Sequence, residues 1–180
     1  MIIFDLDGTL ADCEHRRHFV DPIKTSGNWQ CIENNTGDKK WRTGEWYDKN
    51  DKPWQPDWKS FYEACNHDKP IEPVIEMWAD QISLGSMYAN QIWSGRCESV
   101  REKTEKWLTY HLVCFNPKQL KMRPIGDHTP DDQLKERWLD EAIAEGEKID
   151  FVFDDRPKVI RMWRRRGIFV FNCCQHNNEF

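Results

Sequence analysis

Residues 4–10 of this 180-residue chain read Phe4-Asp5-Leu6-Asp7-Gly8-Thr9-Leu10. The apolar run Met1–Phe4 is typical of a buried strand, and that strand ends at two acids spaced i, i+2. Carboxylates this close repel each other unless a cation or a shared proton relieves the repulsion. In an open parallel sheet, the carboxyl end of a strand faces the crevice where ligands bind. The stretch therefore predicts a charged ligand site after the first strand; the alternative is a loop whose acids cap a helix.

Short apolar runs rich in Ile, Val and Phe recur along the chain and predict further strands. These runs are Gln91–Ser94, Val113–Phe115 with Leu120–Met122, Phe151–Phe153 and Ile168–Asn172. Segments of helical periodicity lie between the runs, and they begin near Pro73, Val100, Thr129 and Pro157. The third of them starts with Thr129-Pro130-Asp131-Asp132, which predicts a helix capped by Thr129. Strands that alternate with helices predict an α/β fold, a doubly wound (Rossmann-like) parallel sheet with helices on both faces.

One long segment interrupts this alternation. More than 60 residues separate the first strand from the helix at Pro73, far beyond an ordinary connection. Residues 25–57 are rich in Gly, Pro, Asn and Lys, yet they also hold Trp29, Trp41, Trp46 and Trp54. Since a disordered linker is poor in aromatic residues, we expect a small ordered cap at the carboxyl edge of the sheet. The predicted division is a core of 1–12 and 70–180, and a Trp-rich cap of 13–69 with 25–57 as extra material.

Composition narrows the class of protein. Hydrophobic residues make up 38% and charged residues 32%, as in a globular domain, and the net charge is −5. A negative net charge argues against tracking along an extended DNA duplex, although a nucleic-acid end or a free nucleotide stays possible. No apolar run approaches the ~18 residues of a membrane span, and the first residues lack the features of a signal peptide. We therefore expect no membrane partner and a cytoplasmic location.

Three further stretches place polar chemistry at predicted strand ends or helix starts. Ser94-Gly95-Arg96 follows a strand, where a hydroxyl and the backbone N–H groups of the next helix can hold a phosphate. Asp154-Asp155 ends another strand and offers the hard oxygen ligands that magnesium prefers. Lys135 lies three residues beyond Asp132, early in a predicted helix. Alone, a Ser-Gly-Arg turn or a helix lysine is usually structural. The functional interpretation therefore depends on the order of these stretches along the chain.

Taken in that order, the four stretches resemble the motifs of haloacid dehalogenase superfamily phosphatases, whose first motif reads D-x-D-G-T-L. The resemblance implies that Asp5 is a covalent nucleophile on a phosphate monoester and that Asp7 is the general acid and base. It also implies that Lys135 neutralises the phosphate and the charge of Asp5, and that Ser94 and Gly95 bind phosphate. Magnesium is the implied cofactor, and its implied ligands are Asp5, the backbone carbonyl of Asp7, and Asp154 or Asp155.

A narrower resemblance, to the 3′-phosphatase modules of bacteriophage polynucleotide kinases, covers residues 1–24 and 58–172. It is carried by Met122-Arg123-Pro124, Gly126-Asp127, Pro130-Asp131-Asp132, Lys135-Glu136 and Asp154-Asp155-Arg156. This resemblance implies that the cytoplasm is that of a bacterial or phage-infected cell. Residues 25–57 and the tail Asn172–Phe180 depart from the pattern. The phosphate-binding motif G-x-x-x-x-G-K-[ST] of a kinase half is absent from this sequence.

The resemblance favours a hydrolase that acts on a phosphoric monoester, of the 5′-nucleotidase or polynucleotide 3′-phosphatase type. Two alternatives stay open: a phosphatase of another small phosphorylated metabolite, and a catalytically idle binding protein of the same fold. The presence of both Asp5 and Asp7 argues against the idle protein, which has no chemical need for the second acid. Arg96 and Arg123 are candidates for substrate contacts or for surface salt bridges. The tryptophans of the cap either stack on a base or only pack the cap, and the oligomeric state is left open.

Overall fold

The computed structural model describes residues 1–22, 24, 30–32, 45–47, 53–86 and 90–174, with 30–32 and 45–47 as backbone only. The chain divides into two compact units, Met1–Cys13 with Asn66–Phe180, and Glu14–Cys65. In chain order, the strands and α-helices are β1 (Ile2–Phe4), β2 (Ala11–Asp12), β3 (Gln30–Ile32), β4 (Glu45–Tyr47), α1 (Trp58–Glu63), β5 (Lys69–Pro70), α2 (Glu72–Gln81), β6 (Asn90–Cys97), α3 (Arg101–His111), β7 (Leu120–Arg123), α4 (Asp131–Ala144), β8 (Phe151–Asp154), α5 (Pro157–Arg165) and β9 (Phe169–Asn172).

A five-stranded sheet in the order β7-β6-β1-β8-β9 forms the centre of the first unit. Each neighbouring pair of strands is parallel, and β1 pairs with β6 on one side and β8 on the other. The chain also forms two short antiparallel pairs of strands, β2 with β5 in the first unit and β3 with β4 in the second. The predicted α/β fold with a parallel sheet is confirmed.

Successive residues of β1 point to opposite faces of the sheet and contact different helices. Ile3 belongs to a buried cluster that holds Leu134 and Trp138 of α4 and Trp163 of α5. Phe4 instead packs against Trp78 of α2, with ring centroids 5.4 Å apart. Helices therefore cover both faces, and the central strand is apolar on each side because both faces are buried.

Two local predictions are wrong. Val113–Phe115 forms no strand: α3 ends at His111, and Cys114 has a φ of 54°, a left-handed conformation that breaks an extended segment. The predicted helix cap at Thr129 is also absent. The N-cap of α4 is Pro130, whose side chain has no oxygen that could accept a hydrogen bond from the backbone of the first turn. Asp131 and Asp132 lie in that first turn.

The second unit is held by local polar contacts in its described part. The side chain of Asp57 accepts a hydrogen bond of 2.9 Å from the backbone N–H of Ser60 and so caps α1. Arg16 is fully buried, donates to the carbonyl of Phe61 at 3.0 Å and lies over its ring. The hypothesis that tryptophans of the cap stack on a base concerns in large part residues that the structure does not describe. The tryptophans at 29 and 41 and the side chain of the tryptophan at 46 lie outside the described residues. The role of this unit as a cap stays a prediction.

Two negative findings apply to the described part of the chain. None of its helices has the length and apolar character needed to cross a membrane. The six cysteines whose side chains are described are free thiols.

Candidate active site

Three acids meet at the carboxyl ends of two neighbouring strands. Asp5 follows β1, and its backbone N–H donates to the carbonyl of Phe153 at 2.9 Å. Asp154 ends β8, with Asp155 directly after it. Because Phe4 is in register with Phe153, the strand ends place these acids side by side. One oxygen from each of Asp5, Asp154 and Asp155 lies within 4.8 Å of the others.

Lys135 of α4 joins two of these acids. Its Nζ donates to Oδ1 of Asp5 at 2.6 Å and to Oδ2 of Asp154 at 2.8 Å. Asp154 is fully buried, and its oxygens also accept from Nε1 of Trp163 at 3.3 Å and from the backbone N–H of Arg156 at 3.0 Å. Buried carboxylates that accept several hydrogen bonds hold one orientation. Asp154 is therefore the most firmly fixed acid of the three.

The acids carry more negative charge than Lys135 balances. Burial raises the pKa of Asp5 to about 6; Lys135 opposes this shift, and the charges of Asp154 and Asp7 add to it. Burial, together with the charges of Asp5 and Asp154, raises the pKa of Asp155 to about 8. For Lys135, burial lowers the pKa, but the charges of Asp154 and Asp5 outweigh it and raise the pKa overall. A cluster of hard oxygen atoms with unrelieved repulsion fits magnesium in both ligand type and charge.

Asp7 lies outside this carboxylate cluster and contacts an arginine. Arg96 donates to Oδ1 of Asp7 from Nε at 2.8 Å and from Nη2 at 2.5 Å. The same Nη2 lies 2.5 Å from Oδ2 of Asp68, and the side chains of Arg96 and Asp68 are both fully buried. Arg96 is thus part of a buried network of charged groups rather than a surface salt bridge, and its predicted contact with substrate stays a prediction.

Gly8 of the first motif is required by the backbone and by a neighbouring acid. Its φ is +92°, and a Cβ at this position would lie 2.2 Å from Oδ2 of Asp155. The backbone N–H of Gly8 donates to the carbonyl of Ala11 at 2.8 Å and closes the turn. Thr9, fully buried, places its hydroxyl 3.5 Å from Oδ1 of Asp155. Gly8 therefore lets Asp155 approach the turn that follows Asp5.

The turn at Ser94 is fixed from two sides. Ser94 is fully buried, and its hydroxyl accepts a hydrogen bond of 3.1 Å from the backbone N–H of Arg96. Arg123 donates from Nε to the carbonyl of Gly95 at 3.0 Å and from Nη1 to the carbonyl of Thr129 at 2.5 Å. Arg123 also pairs with Asp131. Arg123 thus ties the Ser94 turn to the start of α4, and its predicted contact with substrate stays a prediction.

Three residues around the site make contacts that the sequence does not predict. Asp68 lies in a polar run between α1 and α2, and no pattern there marks it as buried. The sequence pattern predicts only that Trp163 is a buried apolar residue of α5, although its indole N–H donates to Asp154. Asp131 belongs to the stretch Pro130-Asp131-Asp132, but no sequence pattern predicts its pairing with Arg123 and Arg156. The contacts of these three residues have no sequence signal, because each contact joins separate parts of the fold.

Known proteins resemble this chain in sequence and in structure. The family model for the polynucleotide kinase PNKP phosphatase domain matches residues 56–179. A bifunctional polynucleotide kinase/RNA ligase of Autographa californica nuclear polyhedrosis virus is 37% identical over 88 residues, which is 48% of this chain and 12% of that protein.

Two solved structures, of a Pnkp1/Rnl/Hen1 complex and of the Pnkp1/Rnl/Hen1 RNA repair complex, each align with 96% of this chain at a TM-score of 0.60. Their sequence identities are 24% and 23%, and the alignments cover 45% and 41% of the matched chains. At that identity the likeness establishes the fold. By these coverages, the chain spans less than half the length of each matched structure's chain, and only a small part of the viral protein.

Proposed function

The chain belongs to the polynucleotide kinase phosphatase family of haloacid dehalogenase type, and on that premise we propose that it is a magnesium-dependent phosphomonoesterase that removes the phosphate from the 3′ end of a polynucleotide. The observation that carries this proposal is the convergence of Asp5, Asp154 and Asp155 with Lys135 at the carboxyl edge of the sheet. An arrangement of a buried nucleophile, a buried cation and spare hard oxygens suits phosphoryl transfer to a carboxylate.

In the first step, a carboxylate oxygen of Asp5 attacks phosphorus in line, and the bond from phosphorus to the 3′ oxygen breaks. Asp7 gives its proton to that leaving oxygen, which departs as a hydroxyl. In the second step, Asp7 takes a proton from water, and the water oxygen attacks phosphorus. The bond between Asp5 and phosphorus then breaks, which releases inorganic phosphate and restores both acids.

Other groups of the site balance charge and hold the phosphate. Lys135 stabilises the charge of Asp5 and of the phosphoryl oxygens, and the Ser94 hydroxyl and the Gly95 N–H bind those oxygens from the turn after β6. Bound magnesium would be held by Asp5, Asp154, Asp155 and the backbone carbonyl of Asp7, and it would supply further neutralisation of charge on the phosphate. Arg123 supports this arrangement because it fixes the turn that carries Ser94 and Gly95.

The substrate is the end of a nucleic-acid strand in this proposal. Membership of a polynucleotide phosphatase family supports it, and the net charge of −5 favours an end over an extended duplex. The viral relative is named for RNA ligation as well as for polynucleotide kinase activity. We therefore include RNA 3′ ends beside DNA 3′ ends as substrates.

A substrate panel tests the proposal. Phosphate release is measured with magnesium on 3′-phosphorylated RNA and DNA oligonucleotides, 5′-phosphorylated oligonucleotides, nucleoside monophosphates and sugar phosphates. We expect the highest kcat/KM on a 3′-phosphorylated strand and no release with a chelator. Preference for sugar phosphates would instead identify a metabolite phosphatase, and binding without hydrolysis of any ester would identify an idle protein. Full activity in chelator would remove the metal from the proposal.

A further inference from the structure

Asp68 is a buried acid that the proposed reaction does not use directly. Its side chain is fully buried, and its Oδ2 lies 2.5 Å from Nη2 of Arg96. Its backbone carbonyl accepts a hydrogen bond of 2.8 Å from Nε1 of Trp107, a buried residue of α3. The backbone of Asp68 is therefore anchored to a helix of the core. A carboxylate fixed in this way is a rigid partner for the arginine.

One guanidinium connects Asp68 to the proposed general acid. Nη2 of Arg96 donates to Asp68 and to Oδ1 of Asp7, and Nε of Arg96 donates to the same Oδ1 at 2.8 Å. Arg96 is fully buried, whereas the Asp7 side chain is 17% exposed. A buried arginine without a second counter-charge would turn or draw in water, because an isolated buried charge is costly.

We propose that Asp68 is a positioning residue for the phosphatase reaction, holding Arg96 in the orientation in which Arg96 fixes the carboxylate of Asp7. The inference rests on the proposed role of Asp7 as general acid and base. Two donors on Oδ1 hold the Asp7 carboxylate in one orientation for the proton transfer. Proton transfer needs donor and acceptor within hydrogen-bond reach, so a carboxylate that rotates freely loses rate. Asp68 itself touches no reacting atom.

The alternative is that Asp68 serves only to neutralise a buried arginine, with no influence on the reaction. The two readings differ in their dependence on the leaving group. A 3′ alkoxide needs a proton from Asp7 as it departs, whereas a nitrophenolate is stable enough to leave without one. Because kcat/KM reports the steps up to departure of the leaving group, it isolates the effect of the proton donor.

The test is Asp68→Asn, which keeps the shape of the side chain and removes its charge. Its kcat/KM is measured on a 3′-phosphorylated oligonucleotide and on p-nitrophenyl phosphate, with thermal unfolding in parallel. We expect a loss of ~10²-fold on the oligonucleotide, mainly in kcat, and a much smaller loss on the aryl phosphate. Glu105→Gln is the control, since it removes an acid that pairs with Arg101 on the same helix as Trp107, outside the site. It should leave both activities unchanged.

A double-mutant cycle with Asp7→Asn completes the test. If Asp68 acts through Asp7, Asp68→Asn should cause no further selective loss in the Asp7→Asn background. Equal losses on both substrates, together with a lowered Tm, would overturn the positioning role and leave Asp68 as a structural counter-charge. If Asp68→Asn does not fold, Asp68→Glu and Arg96→Lys decide, because both keep the charges and disturb only the geometry. The same selective loss from them supports the role, and unselective losses overturn it.

Failure of the proposed function gives a different result. The wild-type protein would then leave 3′-phosphorylated ends intact, whatever the behaviour of the variants. Should it hydrolyse another alkyl phosphate, the same comparison with p-nitrophenyl phosphate still decides the role of Asp68. A wild-type protein active on 3′ ends whose Asp68→Asn variant is unselective would overturn only the positioning role.

Discussion

The ammonium of Lys135 lies 2.6 Å from Oδ1 of Asp5, and both side chains are buried to nine-tenths or more. Burial alone would favour the protonated form of Asp5, which is a poor nucleophile. The adjacent ammonium opposes that effect, although the pKa of Asp5 still rises to about 6. One lysine thus lies among three acids and does not balance their negative charge.

Replacing Lys135 by methionine should leave the buried acids without their cation. Removing one partner of a buried ion pair costs about 3–5 kcal/mol, so we expect a large fall in the free energy of unfolding when metal is absent. Loss of charge stabilisation in the reaction should lower kcat by ~10²-fold or more. Thermal unfolding and phosphate release measure the two effects. Lys106→Met is the matched control, since Lys106 is an exposed helix lysine whose loss should leave stability and kcat nearly unchanged. A Lys135→Met variant as stable and as active as Lys106→Met would contradict this account.

The stability of the metal-free protein should fall as pH rises. The pKa values of Asp5 and Asp155 are raised from 3.8 to about 6 and about 8, so the folded state holds protons that the unfolded state has released. Their contribution is fully present below about pH 4 and is lost as pH rises towards about pH 8. In chelator we expect Tm to decrease across this window, by ~2–4 °C for each kcal/mol lost. Magnesium should restore stability most at the alkaline end, where the acids are ionised.

Two variants check the origin of that slope. Asp155→Asn should flatten the decrease in Tm above about pH 6, because it removes the acid with the highest pKa of the cluster. Asp140→Asn removes an exposed acid that pairs with Arg166, and it should leave the slope unchanged. A slope that persists in Asp155→Asn would assign the pH dependence to other groups.

Gly8→Ala should reduce stability more than alanine ordinarily does at a glycine with left-handed backbone conformation. Both Gly8 and Gly167 have positive φ, but only at Gly8 would the new Cβ meet an acid, 2.2 Å from Oδ2 of Asp155. Gly167→Ala should therefore lose only the ~1–2 kcal/mol of the left-handed conformation. Gly8→Ala should lose more stability, and also activity and magnesium affinity, because Asp155 must move. Calorimetric titration with magnesium and urea unfolding measure the difference; equal losses in the two variants would show that the approach of Asp155 is unimportant.

Asp5→Asn and Asp7→Asn should fail in different ways. The amide at position 5 is nearly isosteric but a poor nucleophile, so we expect a folded protein without turnover on any ester. The amide at position 7 should lower kcat/KM by ~10²–10⁴-fold on alkyl phosphates and much less on aryl phosphates. Circular dichroism checks the fold of both variants. Equal losses on both classes of ester in Asp7→Asn would count against Asp7 as the proton donor.

Local sequence patterns predict the frame of this site, because the chemistry lies where strands end. Asp5, Ser94 and Asp154 each follow an apolar run, and a parallel sheet brings such ends to one edge. The link from Asp68 to Arg96 could not be predicted, since it joins residues 28 positions apart that share no pattern. Adjacent acids are equally hard to separate. Only the structure distinguishes Asp154, whose oxygens accept from Lys135 and Trp163, from its neighbour Asp155.

The strand that precedes Asp5, β1, lies at the centre of the sheet between β6 and β8. Ile2 pairs with Asn90 on one side and with Phe151 on the other. At ~5–20 residues per second, β1 leaves the ribosome on the order of ten seconds before β8 does. Such distant pairing also slows folding, because a long loop must close before the contacts form. Between the synthesis of β1 and that of β8, the nascent chain therefore carries an apolar strand that lacks at least one of its two neighbours. A chain interrupted before Phe151 should be a target for chaperones and proteases rather than a partly active enzyme.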